Sequence, residues 1–112
     1  MYTTRITRTL EENPGARKVR TAVFMEEQGY KNEFDDHDAD AVHLCIYDGE
    51  EGIATARSYQ KLDGVWVLGR VAVLRERRGH RLGSRAVQEL EEYLRGLDAK
   101  EIPLDQKDVM SL

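Results

Sequence analysis

Two Asp-Gly pairs, Asp48-Gly49 and Asp63-Gly64, divide three short apolar runs at residues 41–47, 53–60 and 65–73. Asp-Gly favours the tight turns that join neighbouring antiparallel strands, so this punctuation predicts a three-stranded antiparallel meander. Gly69, inside the third run, predicts a bulge or a close approach to a ligand. Upstream, β-branched residues alternate over 2–9 and read as a first strand. Asn13-Pro14 reads as a helix start, with Asn as cap and Pro at the first helical position. Ala16, Val19, Ala22, Val23 and then Met25 or Glu26 follow at helical spacing, and Gly29 supplies the stop. From Leu82 the period changes again. Leu82, Ala86, Leu90, Leu94 and Leu97 share one helical face, flanked by Val87 and Tyr93, while Glu89, Glu91, Glu92 and Arg95 face water. Residues 99–104 read as one more short strand, and strand–helix–strand order implies parallel pairing through a right-handed crossover. The expected fold is therefore mixed α/β, with a central, largely antiparallel sheet and helices on both faces, in one domain spanning 1–112.

Charge is the second constraint. Seventeen Lys and Arg against 21 Asp and Glu give a net charge of -4, which argues against a nucleic-acid partner. The single cysteine, Cys45, rules out an internal disulfide and fits a reducing, cytoplasmic setting. No apolar run approaches a membrane span, and the start MYTTRITRT has no apolar signal core, so no membrane partner is expected. The positive charge is nonetheless concentrated. Arg75, Arg77, Arg78, Arg81 and Arg85, with His80 among them, crowd the start of the Leu82 helix. A helix N-terminus carries partial positive charge and exposes unpaired N–H groups, so each cation there is unfavourable by roughly 0.3–1 kcal/mol unless an anion compensates. A solvated basic patch offset by Glu76 and the acidic helix is the plain alternative. The strand–turn–helix setting, with Gly79 and Gly83 permitting close backbone approach, favours a phosphate site. It is not a P-loop, because Ser84 stands where that pattern needs Lys after its last glycine, and a dinucleotide fingerprint would open a βαβ unit rather than follow a meander.

The stretch LGRVAVLRERRGHRLGSRA, residues 68–86, resembles the coenzyme A pyrophosphate site of the GNAT superfamily of N-acetyltransferases. That family's signature, R/Q-x-x-G-x-G/A, is matched by Arg78-Gly79-His80-Arg81-Leu82-Gly83, and RVAVL resembles its fourth strand. The upstream VRTAVFMEEQG, followed by Glu33, Asp38 and AVHL, is similar to the bacterial ElaA and YjcF-like branch, so the resemblance runs over about residues 16–104. The resemblance implies acetyl-CoA or CoA as co-substrate and no metal. It implies that Val71 and Val73 meet pantetheine through the backbone, and that Arg78, Gly79, Arg81, Leu82, Gly83 and Ser84 line the pyrophosphate. The acceptor would be a primary amine of a small molecule or a protein. Glu27 and Glu33 become candidate bases, with Glu26 a third carboxylate in the same region, because acyl transfer to an amine requires removing a proton.

Two departures from the family pattern carry expectations of their own. Arg81 replaces the middle glycine, which implies rearranged phosphate contact offset by the guanidinium. No tyrosine follows Tyr93. The family often places there, beyond its fifth strand, a tyrosine that protonates the departing thiolate, together with a helix and two more strands. This implies a C-terminally shortened domain that keeps CoA affinity better than turnover, and a homodimer that buries the edge at 100–104, blunted otherwise by Pro103 and the DQKD tail. The rival functions are a non-catalytic CoA-binding module and a small polyanion-binding protein. Other residues read as structural: Asp36, Asp38 and Asp40 lack the glycine and closing Glu of a calcium loop, His43 and Cys45 lie in a strand, and Trp66 is core or pocket wall.

Overall fold

The computed structural model describes residues 1–105. Four strands form one antiparallel sheet in sequence order: β1 (Tyr2–Thr7), β2 (Val42–Asp48), β3 (Glu51–Leu62) and β4 (Val65–Val73). The two Asp-Gly pairs make the meander, in different ways. Asp48 closes β2 opposite Glu51, so the first turn is Gly49-Glu50, with Gly49 at φ +64°. Leu62 pairs with Val65, so the second turn is Asp63-Gly64 itself, with Gly64 at φ +78°. Each turn needs one positive φ, and glycine supplies it without a Cβ clash.

Helix α1 (Pro14–Arg20) and helix α2 (Leu82–Arg95) cover opposite faces. Ala16 of α1 packs with Leu10, Cys45 and Tyr47. On the other face, Thr4 of β1 hydrogen-bonds Glu89 of α2, and Arg85 of α2 lies over the Tyr2 ring. Leu82, Ala86, Leu90 and Leu94 of α2 are buried in the main core with Leu44, Ile46, Ala54 and Ala56. The α2 stripe is the predicted one up to Arg95. Leu97 lies past the helix end and is exposed.

Three expectations need correction. The first strand ends at Thr7. Asn13 does precede the helix, but its side chain caps nothing: Nδ2 donates to the carbonyls of Arg5 and His43, and Oδ1 accepts from the Tyr47 hydroxyl. A fully buried Asn must satisfy both ends of its amide, and these strand groups do so. Third, α1 does not continue at 3.6 residues per turn. Residues Thr21–Glu27 form a π-helix, with Gln28 N–H bonding back five residues to Val23 O, before Gly29 at φ +81° ends the run. The wider turn puts both Val23 and Phe24 into the core, whereas even 3.6 spacing selects Val23 and passes over Phe24.

The segment after α2 runs beside β4 in the predicted parallel sense, through bridges Val65–Glu101 and Leu68–Leu104 rather than a continuous strand. Residues 106–112, including most of the DQKD tail, lie outside the described residues.

Candidate functional site

Strand β4 has two halves. In the first, Trp66 and Leu68 donate their N–H groups outward to the carbonyls of Glu101 and Pro103. Between Gly69 and Ala72 the register against β3 slips: Arg57 faces Gly69 and Thr55 faces Ala72, so one extra β4 residue is accommodated. Arg70 sits there at φ +50°, a left-handed shape that costs a residue with a Cβ about 1–2 kcal/mol. The bulge expected from Gly69 is thus present, with Arg70 beside it as the strained residue. Its effect is a change of parity. Past the bulge, Leu74 N–H bonds inward to Ile53 O, so by alternation Val71 and Val73 direct their backbone groups outward. Arg78 Nε donates to the outward Val73 carbonyl at 3.1 Å.

The β4–α2 junction follows. A 3-10 turn at Arg75–Arg77 leads to Gly79 at φ +91°, in open space, and to Arg81 at φ +60° as N-cap of α2. Where the family signature has glycine, this chain holds an arginine in the glycine conformation. No side chain caps the helix. The amides of Leu82, Gly83 and Ser84, the first three of the helix, have no acceptor within it, and Arg85 N–H is the first to bond back, to Arg81 O at 3.0 Å.

The arginine cluster is less exposed to charge repulsion than the sequence implies. Arg78 makes a bidentate pair with Glu27, at 2.8 and 2.7 Å, and Arg75 reaches the same carboxylate at 3.3 Å. Arg77 bonds Asp48 at 2.8 Å and Glu51 at 3.0 Å, and Arg85 bonds Glu89 at 2.8 Å. The ion pairs come from the π-helix, β2, β3 and α2, and Glu76 adds only its charge near Arg78. Of the five arginines of the cluster, Arg81 alone has no carboxylate partner among the described residues.

Of the two candidate bases, Glu27 borders an open cleft of about 570 Å³ lined also by Ala22, Val23, Glu26, Leu74 and Arg75. The hydrogen bond from Arg78 outweighs desolvation, and with the charges of Arg78 and Arg75 it lowers the Glu27 pKa to about 2. Such a carboxylate accepts protons weakly at neutral pH. Glu33 is 3% exposed, and burial raises its pKa against the pull of Arg20, Arg70 and Arg57. The structure does not bring Glu33 to the cleft that Glu27 borders, and none of Val71, Val73, Arg78, Gly79, Arg81, Leu82, Gly83 and Ser84 lines that cleft.

Glu33 belongs to a set of charges, buried at Arg20, Glu33, Asp38 and Arg57 and more open at Arg70 and Asp35, that the sequence pattern does not display. Its Oε2 lies 2.8 Å from both Arg20 Nε and Arg70 Nε. Asp38 takes Arg20 at 2.7 Å and Arg57 at 3.0 Å, and Asp35 takes Arg57 at 2.7 Å and Arg70 at 3.2 Å. Burial opposes ionisation of Asp38, but the Arg20 bond and charge prevail and hold it well below the usual carboxylate range. A signal was available: Arg20 interrupts the apolar face formed by Ala16, Val19 and Val23, and Arg57 interrupts the apolar run 53–60.

His43 is buried, its Nε2 contacting Asp38 O at 2.9 Å, and burial lowers its pKa. Cys45 is a buried thiol whose pKa desolvation pushes up to about 12, and Trp66 joins the core. Among the described residues no cluster of three or more His, Cys, Asp or Glu could hold a metal, and no helix is long and apolar enough to cross a membrane.

Comparison with known proteins places this geometry. Residues 6–109 match the model of the acetyltransferase (GNAT) family. The fold is similar to that of an acyl-CoA N-acyltransferase from Pseudomonas aeruginosa, at 25% identity and a TM-score of 0.77, covering 89% of this chain and 75% of that one. It is similar also to Escherichia coli ElaA, at 23% identity, TM-score 0.80 and coverage of 93% and 77%. A GNAT family acetyltransferase from Brucella melitensis, whose structure is a complex with acetyl-CoA, matches at 21% identity and TM-score 0.72 over 93% of this chain and 75% of that one. With the family model spanning nearly all of the sequence and this fold around it, the chain belongs to the acetyltransferase (GNAT) family of acyltransferases.

Proposed function

We propose that residues 1–112 act as a single domain that transfers an acetyl group from acetyl-CoA to a primary amine of a small molecule or a protein, by direct attack. One observation carries this reading. The β4 bulge turns Val71 and Val73 outward, and the uncapped amides of α2 lie a short junction further along the chain. A strand edge leading to a helix N-terminus suits a ligand with an extended amide-bearing arm and a pyrophosphate. Val71 and Val73 N–H would align the pantetheine arm. Gly79, Arg81, Leu82, Gly83 and Ser84 would hold the pyrophosphate, with Arg81 contributing a guanidinium that no carboxylate occupies among the described residues. Acetyl-CoA supplies an activated thioester acyl group. Glu27 reaches solvent at the cleft, and its role in this reading is to order a water that takes the amine's proton.

Arg78 acts here by fixing the junction, since it bonds Val73 O and Glu27 together. Arg78→Ala breaks internal charge-assisted bonds worth roughly 1.5–3 kcal/mol each and so loosens the junction that has to be ordered for the ligand, and CoA binding is expected to weaken about tenfold. Calorimetric titration measures this, and an unchanged affinity would remove Arg78 from the site. Thiol release across a panel of amines separates an enzyme from a non-catalytic CoA-binding module. Binding that ignores CoA and falls steeply with salt would instead favour a polyanion binder, a reading weakened by the internal pairing of four of the five arginines.

Two further parts of the proposal concern setting. A homodimer across the 100–104 edge is supported by Leu62 and Leu104, 65% and 37% exposed, which line one shallow depression with Val65 and Val67, and also with Lys61 and Glu101. Light scattering at micromolar concentration tests it, and a monomer would end it. A cytoplasmic location is supported by the cysteine usage, a single residue that is buried and free.

A further inference from the structure

The bulge in β4 is held in an unusual way. Arg70 occupies a left-handed backbone conformation that residues with a Cβ avoid, where glycine would serve without strain. Strain of this kind persists only where surrounding groups over-determine it, and it is a reason to ask what the bent shape is for. The groups that determine it are on three sides. Arg70 Nε lies 2.8 Å from Glu33 Oε2, and Nη2 lies 3.2 Å from Asp35 Oδ2. The same Glu33 oxygen is 2.8 Å from Nε of Arg20, which is wholly buried in α1. Arg57, which faces Gly69 across the strand pair, bonds Asp35 and Asp38, and Asp38 bonds Arg20 in turn. Three arginines thus face three carboxylates, joining α1, the 33–38 segment, β3 and the bulge.

A buried ion network of this kind is weak evidence for stability, because well-packed apolar residues do as well or better. What it provides is fixed geometry. Each charge buried with its partner must keep that partner in place, so the network defines where the Arg70 side chain ends and therefore how β4 bends. That bend sets the parity of Val71 and Val73.

We propose that Glu33, bridging Arg20 and Arg70, is a positioning residue: it locks the β4 bulge in the shape that aims the Val71 and Val73 N–H groups outward at the pantetheine arm of CoA. Glu33 touches neither co-substrate nor acceptor in this role. The inference rests on the reading of β4 as the CoA edge, and it assigns the network to the pantetheine half of the ligand alone.

That division makes it testable with two probes: CoA, and adenosine 3′-phosphate 5′-diphosphate, which is CoA without the pantetheine arm. Affinities for both are measured by calorimetry on the wild-type chain, Glu33→Gln and Arg70→Ala, with amide NMR spectra of each protein. The expected result is that CoA binding weakens about tenfold or more in both variants, approaching that of the nucleotide fragment. Affinity for the fragment stays within about twofold, and the Val71 and Val73 amide signals shift in the free protein. Parallel losses for both probes would mean a general structural role and overturn the proposal. Unchanged CoA affinity would overturn it equally. Arg70→Ala keeps the left-handed strain while removing the contact, so it carries the test alone if Glu33→Gln fails to fold. Should the wild-type chain bind neither probe, the CoA site itself fails, a result distinct from wild-type binding that the variants do not change.

Discussion

Arg20→Leu is expected to destabilise the protein by about 3–5 kcal/mol, the cost of breaking a buried ion pair by removing one partner. Arg20 is completely buried and serves two carboxylates, Glu33 through Nε and Asp38 through Nη1 and Nη2. Leucine matches the apolar face of α1 formed by Ala16, Val19 and Val23, so lost hydrophobic burial does not explain the damage. The damage comes from Glu33 at 3% exposure and Asp38 at 9%, both left with less compensation. Denaturant unfolding measures it, and a loss below about 1 kcal/mol would show that Arg57 and Arg70 suffice for both acids. The pH dependence has a definite sign. Asp38 has a folded pKa below its unfolded value, so the stability it contributes is fully present above the ordinary carboxylate range and is lost as pH falls. Glu27 behaves alike, over a window from its ordinary 4.5 down to about 2. Glu33, raised by burial, works the other way, because protonation relieves a buried charge. Arg20→Leu weakens the Asp38 contribution, so its acid unfolding limb should be shallower than that of the parent.

What was legible in the sequence was local. The two Asp-Gly turns, the Gly69 bulge and the Leu82 helix each depend on residues within a few positions of one another, and all are present. The π-helix was not legible, because an apolar pattern read at 3.6 residues per turn absorbs an extra residue silently and misassigns Phe24. The arginine cluster was legible, and the carboxylates that pair with four of its five members were largely not. Glu27 lies 51 residues from Arg78, and Asp48 lies 29 from Arg77, so only the folded chain brings those carboxylates to the junction. The same limit hid the network around Glu33. A carboxylate in an acidic loop reads as a solvent-facing candidate base, whereas the folded chain encloses it between arginines from a helix and a strand bulge. The family resemblance assigns a cofactor edge to a stretch of sequence, but which charges serve a ligand and which serve the fold is decided by distances that spacing does not carry.

Gly52→Ala is expected to cost about 3 kcal/mol or more, toward the upper end of what an added methyl does in a packed interior. A Cβ at Gly52 would lie 2.5 Å from the Gly15 Cα and 2.9 Å from its carbonyl carbon and oxygen. No side chain can swing aside, since the obstacle is the backbone of α1 at its first turn. Gly15 has no room to yield in the other direction. The Tyr47 ring stands 2.6 Å from where its own Cβ would be, and the Tyr47 hydroxyl accepts from Gly15 N–H and donates to Asn13. The helix would have to lift off β3, and α1 delivers Arg20 to the charge network and leads into the turn that holds Glu27 against Arg78. A roughly 10–20 °C fall in Tm is therefore expected, accompanied by weaker CoA binding in the fraction that stays folded. Gly49→Ala is the control, because a Cβ there meets nothing within 4 Å. It bears only the strain of a left-handed alanine, about 1–2 kcal/mol. If the two variants melt together, contact with α1 costs no more than the left-handed strain at position 49, and the close approach does not set the need for glycine at 52. If Gly52→Ala melts far lower, the close seating of α1 on β3 is what keeps the buried charges and the β4 edge in register.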